Sequence, residues 1–243
     1  MILEGTYTRE GKGRYDLERL RELQRKIASR VIIEDSFKIP VRAVTGFDLA
    51  YLDDEAVAAA VTMDYRSHRV IEEKTLVWNV SFPYVPTFLC FREGPPIIRL
   101  MERLKVNPDV LIVNAHGVAH PLFCGCASYV GVLVDKPTIG VAGSMLCGDY
   151  CGKPREVGEW VPLTYEGRTV GAVLLSKRNC KPIFVSVGHK ISLGSAIEIV
   201  KRLLLSHRFP EPLRLAHVLA NKVKRSLKLE ARVECRRYPT DLE

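Results

Sequence analysis

The amino-acid sequence predicts an α/β fold in which helices flank a central mixed sheet. Strand-like runs are joined by links of only three residues in the first part of the chain, namely 41–51, 55–65 and 69–80. Such short links are typical of an antiparallel meander. A buried strand at 109–113, a helix at 124–134 and a strand at 137–141 follow. This order predicts a parallel βα unit with a right-handed crossover.

Further elements are predicted on both sides of this unit. The helical segments are 16–29, 95–105 with Pro95 or Pro96 in the first turn, 192–206 and 212–227. The remaining strands are 159–163, 169–175 and 183–187. At 243 residues, with 47% hydrophobic and 26% charged residues, the chain fits one globular domain spanning 1–243.

Composition also bears on location and partners. The apolar runs are shorter than the ~20 residues that a membrane span needs, and the first residues lack a signal-peptide pattern. We therefore expect a cytoplasmic monomer without a membrane partner. From Lys201 to Glu243 the chain carries 11 Lys and Arg against 5 Asp and Glu. This basic helical segment, within 192–243, suits nucleic acid, although a solvated helix face explains the charge equally well.

The seven cysteines do not predict a disulfide framework, because their number is odd. Cys124 and Cys126, like Cys147 and Cys151, lack the paired spacing and the following histidine of a zinc finger. We expect buried free thiols. A bridge between Cys147 and Cys151 stays an alternative if the source is a hyperthermophile.

Several segments resemble the endonuclease V family in order along the chain. They are Thr45–Tyr51 (TGFDLAY), Phe82–Glu93 (FPYVPTFLCFRE), Asn114–Pro121 (NAHGVAHP) and Asp135–Ala142 (DKPTIGVA), with weaker similarity at Val185–Ser192 and Pro212–His217. The similarity runs from about Leu17 to Lys224. It implies an RNase H-like fold, which periodicity alone does not single out. It also implies a hydrolase that cleaves a phosphodiester 3′ to a deaminated base such as hypoxanthine, using Mg²⁺ or Mn²⁺.

The resemblance assigns four residues to catalysis. Asp48 and Glu93 match metal-binding acids, Asn114 matches the third metal ligand, and His217 matches a position near the metals. Hard oxygen ligands are those that Mg²⁺ prefers. A turn-capping Asp48, a helix-capping Glu93 and a surface His217 are the structural alternatives. We expect Asn114 to lie beside Asp48, because the strand that it ends neighbours the first strand.

The chain departs from the family in this neighbourhood. Asn114 replaces an Asp, and an amide can neither add negative charge nor act as a base. Ala115 replaces Gly, and Leu122 and Gly143 replace Arg and Lys, which removes charge that would neutralise phosphate. Lys136 or Lys190 are the candidate substitutes. Since several positions differ, natural divergence explains the changes better than a single inactivating substitution.

The base-recognition residues are closer to the family pattern. Pro83, Tyr84, Val85 and Pro86 match a wedge that enters the duplex and stacks in place of an extruded base. The other substrate-binding candidates are Leu89, Gly117, His120, Ala142 and Ser144. We expect Gly117 to let the backbone approach the base. The alternative for Tyr84 is a buried core tyrosine.

The sequence supports two main hypotheses for the function. The first is a metal-dependent endonuclease acting on hypoxanthine in DNA or RNA, weakened by Asn114, Leu122 and Gly143. The second is a catalytically impaired protein that binds inosine-containing or distorted nucleic acid. A fold relative with an unrelated substrate is a third hypothesis, and it requires Tyr84 to be buried.

Overall fold

A computed structural model describes residues 15–237, with side chains up to residue 230. The strands are β1 (Ala43–Leu52), β2 (Glu55–Asp64), β3 (Val70–Asn79), β4 (Val110–Val113), β5 (Thr138–Ala142), β6 (Trp160–Tyr165), β7 (Arg168–Leu174) and β8 (Ile183–His189). The helices are α1 (Leu17–Ala28), α2 (Leu89–Met101), α3 (Cys126–Val134), α4 (Leu193–Arg202) and α5 (Glu211–Arg237).

All eight strands form one mixed sheet in the order β3-β2-β1-β4-β5-β8-β7-β6. The first three strands pair antiparallel, and β4 lies parallel between β1 and β5. These findings confirm the predicted meander and the predicted parallel βα unit. β8 then runs antiparallel to β5, so the parallel part of the sheet is limited to its three central strands.

Helices cover both faces of the sheet because the central strands are apolar on both sides. Phe47 and Leu111 belong to a core with residues of α1, α2 and α3. Val44 and Ile112 belong to a core with residues of α4 and α5. Alternating side chains of a strand point to opposite faces. The result is a sheet between two helical layers, as in the RNase H-like fold that the sequence predicted.

The predicted start of α2 is wrong. The helix begins at Leu89 rather than at Pro95, and both Pro95 and Pro96 lie inside it. A proline inside a helix loses one backbone hydrogen bond. Here the burial of Phe91, Gly94 and Leu100 along one side of the helix outweighs that loss. Because of this shift, Glu93 lies in the second turn and not at the positive end of the helix.

Three smaller findings concern the end of α5, the membrane and the cysteines. α5 continues to Arg237, ten residues past the predicted end at Leu227, while 238–243 lie outside the described residues. No helix in the described range 15–237 is long and apolar enough to cross a membrane. The six cysteines with described side chains are free, as expected, but only Cys90, Cys124 and Cys126 are buried, whereas Cys147 and Cys180 are half-buried and Cys151 is exposed.

Candidate functional site

Asp48 lies in the second half of β1 and is 5% exposed. Two residues earlier, Gly46 lets α5 approach the strand, because a Cβ there would collide with the backbone of Pro212 and Leu213. Residues two apart on a strand share a face. α5 therefore begins directly over the face on which Asp48 is held. A buried carboxylate needs hydrogen-bond donors or a cation, and both its oxygens have partners.

Asn114 supplies the first partner. It follows β4 immediately, and its backbone N–H donates to the Phe47 carbonyl at 3.2 Å. Its side-chain Nδ2 donates to Asp48 Oδ1 at 2.7 Å. The parallel pairing of β1 and β4 thus brings Asn114 beside Asp48, as expected from the strand order. Its side chain remains exposed.

His217 supplies the second partner from α5. Its Nδ1 lies 2.7 Å from Asp48 Oδ2. Because a carboxylate only accepts, Nδ1 carries the proton, and Nε2 can accept from Asn221 Nδ2 at 3.3 Å. Asn221 also donates to the His217 carbonyl at 2.9 Å. A sequence pattern places His217 on a helix, and only the tertiary structure places it on Asp48.

Glu93 reaches the same neighbourhood from α2. It accepts a hydrogen bond from the Tyr51 hydroxyl at 2.8 Å, and the Arg92 guanidinium lies 4.3 Å from the centre of the Tyr51 ring. Burial raises the pKa of Glu93 to about 7; the Tyr51 hydrogen bond opposes this shift and the charge of Asp48 adds to it. A divalent cation bound by both carboxylates would relieve the effect of the Asp48 charge on Glu93. We call Asp48, Glu93, Asn114 and His217 the acid cluster.

The donor set of the acid cluster fits an oxygen-preferring cation. Two carboxylates and one amide carbonyl are ligands that Mg²⁺ accepts. Asn114 adds no carboxylate to this set, which contains two acids, Asp48 and Glu93. Among the described residues, no group of three His, Cys, Asp or Glu side chains could hold a metal ion.

A cleft of about 300 Å³ opens beside the acid cluster. Asn114 lines it, so the cleft and the acid cluster share one residue. Most of the predicted substrate-binding residues line it too, namely Tyr84, Val85, Pro86, Leu89, His120, Ala142 and Ser144. Pro83 and Gly117 are not among the lining residues.

The wedge segment, residues 83–87, projects into solvent from a fixed base. Tyr84 is 70% exposed, which contradicts the hypothesis that it is a core tyrosine. Thr87 closes the segment with a φ of 70°, a conformation that costs a β-branched residue about 1–3 kcal/mol. Its carbonyl accepts from Gln24 Nε2 and His120 Nε2, both at 2.8 Å. These two bonds hold the segment in place.

The structure gives a reason of its own for glycine at 117. A Cβ at this position would collide with the backbone of Val187 on β8, and its N–H donates to Ser186 Oγ at 2.8 Å. The close packing on the sheet therefore requires glycine here, and the approach of a base stays a prediction. The contact of Gly117 with β8 holds the loop after β4 against the sheet.

Two histidines of this loop are neutral and oriented. Burial lowers the pKa of His120 to about 4, and its Nδ1 accepts from the Leu122 N–H at 3.1 Å. Burial also lowers the pKa of His116, whose Nε2 lies 2.9 Å from the Ser144 carbonyl. Since a carbonyl only accepts, Nδ1 of His116 is an acceptor. It is buried and has no hydrogen-bond partner among the described residues.

His116 lines the cleft and was missed by the sequence interpretation, although it lies between Asn114 and Gly117 in a quoted motif. The sequence signal that could have found it is the presence of a histidine within the Asn114–Pro121 motif. The two candidate phosphate-neutralising lysines are elsewhere. Lys136 donates to the Pro108 carbonyl before β4, and Lys190 pairs with Asp135 at 2.7 Å. Both positions are at the other end of the parallel strands from Asn114.

The fold and this site define a class before any relative is considered. Carboxylates gathered at the central strands of an RNase H-like sheet, next to an open cleft with an exposed aromatic wedge, are the arrangement of a nuclease.

Comparison with known proteins identifies the family. A family model described as Endonuclease V matches residues 25–218. Endonuclease V of Thermofilum pendens is 45% identical over 216 residues, which cover 87% of this chain and 90% of that protein. Endonuclease V of Dictyoglomus thermophilum is 42% identical over 200 residues, covering 82% and 87%. The chain belongs to the endonuclease V family, whose members are metal-dependent hydrolytic nucleases.

Solved structures agree with this assignment. Endonuclease V from Streptomyces avermitilis is 37% identical with a TM-score of 0.81, covering 87% of this chain and 94% of that one. Endonuclease V of Ciona intestinalis, in complex with a DNA that contains an inosine followed by a ribo-adenosine, is 27% identical with a TM-score of 0.77, covering 87% and 98%. The RNase H-like fold prediction is thereby confirmed.

Proposed function

We propose that this chain is an endonuclease that cleaves a phosphodiester 3′ to hypoxanthine in DNA or RNA with a divalent metal. One observation carries the proposal. Asn114 lines the cleft and also donates to Asp48, so a nucleotide held in the cleft has its phosphate next to the acid cluster. Binding and cutting thus share one edge of the sheet.

Base capture is assigned to the cleft. Tyr84, exposed on the wedge segment, stacks where the extruded base was. Because Gln24 and His120 already fix the Thr87 carbonyl, little further ordering is needed on binding. His116 also lines the cleft, and we propose that a shift of its ring lets its buried, unpaired Nδ1 accept from the N1–H of hypoxanthine, a donor that adenine lacks. Leu89, Ala142 and Ser144 supply walls of the cleft.

Metal binding is assigned to Asp48 and Glu93, with the Asn114 amide oxygen as a weak third ligand. When bound, Mg²⁺ or Mn²⁺ neutralises phosphate charge and makes water a better nucleophile. The residues contribute orientation. His217 holds one Asp48 oxygen at 2.7 Å, and Tyr51 holds Glu93 at 2.8 Å. Asn114 cannot remove a proton, so it is a positioning and ligating group only.

A second function has its own supporting observation. Both oxygens of Asp48 already accept hydrogen bonds, from Asn114 and His217, and the acids number two. A protein that binds inosine-containing nucleic acid without cutting it would keep the cleft and tolerate this arrangement. Metal dependence separates the two functions, because hydrolysis requires the cation and stacking in the cleft does not.

We infer a cytoplasmic protein, because the six free cysteines with described side chains suit a reducing compartment. We also propose that the protein acts as a monomer.

The test is cleavage of labelled single- and double-stranded oligonucleotides that carry one inosine, with Mg²⁺ or Mn²⁺. Asp48→Ala is the control that removes the central carboxylate. Metal-dependent cutting on the 3′ side of inosine, lost in Asp48→Ala, is expected. Tight inosine-selective binding without any cutting would favour the second function. The absence of both binding and cutting would reject both functions.

A further inference from the structure

The segment before α5 places a cation against the end of β5. Arg208 Nη2 donates to the Gly143 carbonyl at 2.7 Å and to the Pro182 carbonyl at 2.9 Å. Its Nε donates to the Lys181 carbonyl at 2.8 Å. Three bonds to backbone fix the plane of the guanidinium. Such a group is placed in advance and loses little entropy when it binds a ligand.

Gly143 connects this guanidinium to the cleft, since Arg208 binds the carbonyl of Gly143 without being a lining residue itself. Gly143 follows β5 and lines the cleft, at the sheet edge where Asn114 follows β4. A Cβ on Gly143 would lie 3.2 Å from Phe209 Cζ and 3.5 Å from Arg208 Nη1. Arg208 and Phe209 thus fill the space that a longer side chain at 143 would enter.

The charge of Arg208 is not neutralised by the described residues. No described carboxylate lies within ion-pair distance of it, whereas Arg214, six residues later, pairs with Glu211 at 2.6 Å. Arginine has five N–H donors, of which Nε and Nη2 provide the three bonds to backbone. Nη1 makes no hydrogen bond with a described residue. A fixed cation with donors to spare fits a phosphate, whose several oxygens accept from one guanidinium.

We propose that Arg208 binds a backbone phosphate of the nucleic-acid strand held in the cleft, next to the bond that is cut. The inference rests on the proposed function and extends it to a further substrate-binding residue. It also supplies a cation beside Gly143, a position that has no charged side chain of its own. The cation is supplied from the segment before α5 instead of from the end of β5.

The test is the salt dependence of binding, measured without metal on an inosine oligonucleotide. Arg208→Gln removes the charge and keeps an N–H donor, and Arg208→Lys keeps the charge. Each phosphate contact contributes about 0.7–0.9 to the slope of log K against log salt. We expect Arg208→Gln to lower that slope by about one contact and to weaken binding about 10-fold. Arg208→Lys is expected to keep the slope.

Arg202 is the matched control. It too donates to a carbonyl, that of Tyr65 at 3.3 Å, and lies over an aromatic ring at 4.9 Å, but at the end of α4. Arg202→Gln is expected to leave the slope unchanged. A second arm, Gly143→Lys in the Arg208→Gln background, is expected to restore the slope, because Gln leaves room beside Phe209.

The outcomes separate this inference from the proposed function. An unchanged slope in Arg208→Gln, or equal losses in Arg208→Gln and Arg202→Gln, would overturn the role of Arg208 even if the unchanged chain cuts at inosine. If Arg208→Gln unfolds at the assay temperature, the slopes of all variants are measured at a lower temperature at which it is folded, and an unchanged slope there counts against the proposal. An unchanged chain that neither binds nor cuts inosine substrates would reject the proposed function itself.

Discussion

The acid cluster and the cleft share Asn114 but are held in different ways. In the acid cluster the side chains hold one another, since Asn114 and His217 both bind Asp48. In the cleft, two side chains, Gln24 and His120, hold one backbone group, the Thr87 carbonyl. Replacing one of these two side chains leaves the carbonyl a second donor, whereas a change at Asp48 removes both hydrogen bonds that link the acid cluster. We therefore expect the acid cluster to be more sensitive to a single substitution than the cleft.

The largest expected effect comes from restoring the carboxylate. Asn114→Asp adds a negatively charged oxygen ligand, so we expect cleavage at limiting Mg²⁺ to rise about 10- to 100-fold. Initial rates over a Mg²⁺ titration measure it. Asn107→Asp, the same change in an exposed loop before β4, is the control and should have no effect. Equal rates for Asn114→Asp and the unchanged chain at every metal concentration would remove Asn114 from the metal site.

The next largest effect is expected on binding when the exposed ring of Tyr84 is removed. Tyr84→Ala removes a ring whose stacking is worth about 1–3 kcal/mol, so inosine-oligonucleotide binding should weaken roughly 5- to 150-fold. Tyr84→Phe keeps the ring and should bind normally in the same fluorescence-anisotropy titration. If alanine and phenylalanine variants bind alike, the exposed ring does not stack on the substrate.

The contact of α5 with β1 tests how far the acid cluster depends on packing. Gly46→Ala forces a Cβ into the backbone of Pro212, and overpacking of this kind costs about 1–3 kcal/mol. We expect a lower free energy of unfolding in urea. Gly194→Ala in α4, where a Cβ would meet nothing within 4 Å, is the control and should stabilise by about 0.5–1 kcal/mol. An unaltered midpoint in Gly46→Ala would show that α5 does not seat tightly on β1.

The smallest effect is expected for His116, whose replacement should change the preference of the cleft for inosine. Replacing its Nδ1 acceptor with the apolar ring of His116→Phe should lower the preference for inosine over adenosine about 10-fold, the size of one hydrogen bond of ~1.4 kcal/mol. Competition binding with the two oligonucleotides measures the preference. His207→Phe, at an exposed position, is the control. Undiminished preference in His116→Phe would leave base reading to other groups.

The sequence predicted the central sheet better than the site. Strand-like apolar runs with three-residue links define β1 to β3, and the short continuous apolar runs define β4 and β5, because burial of the sheet controls where apolar residues occur. The start of α2 could not be predicted, since Pro95 and Pro96 favour a helix start locally and only packing overrides them. The antiparallel placement of β8 beside β5 likewise depends on contacts distant in sequence.

The site shows the same limit. The family motifs named Asp48, Glu93 and Asn114, and the strand order predicted that Asn114 would lie beside Asp48. No local pattern marks Arg208, which is 65 residues from Gly143 in the chain. The reason for glycine at 117 was also hidden, because the atoms that exclude a side chain there belong to β8.

The most direct test of the account is to separate binding from cutting by removing the metal. Binding of inosine and adenosine oligonucleotides is measured by anisotropy in EDTA, and cleavage is then started by adding Mn²⁺. The account predicts inosine-selective binding in EDTA and cutting only after Mn²⁺ is added. Loss of the inosine preference in EDTA would contradict it, because the cleft would then depend on the acid cluster for recognition.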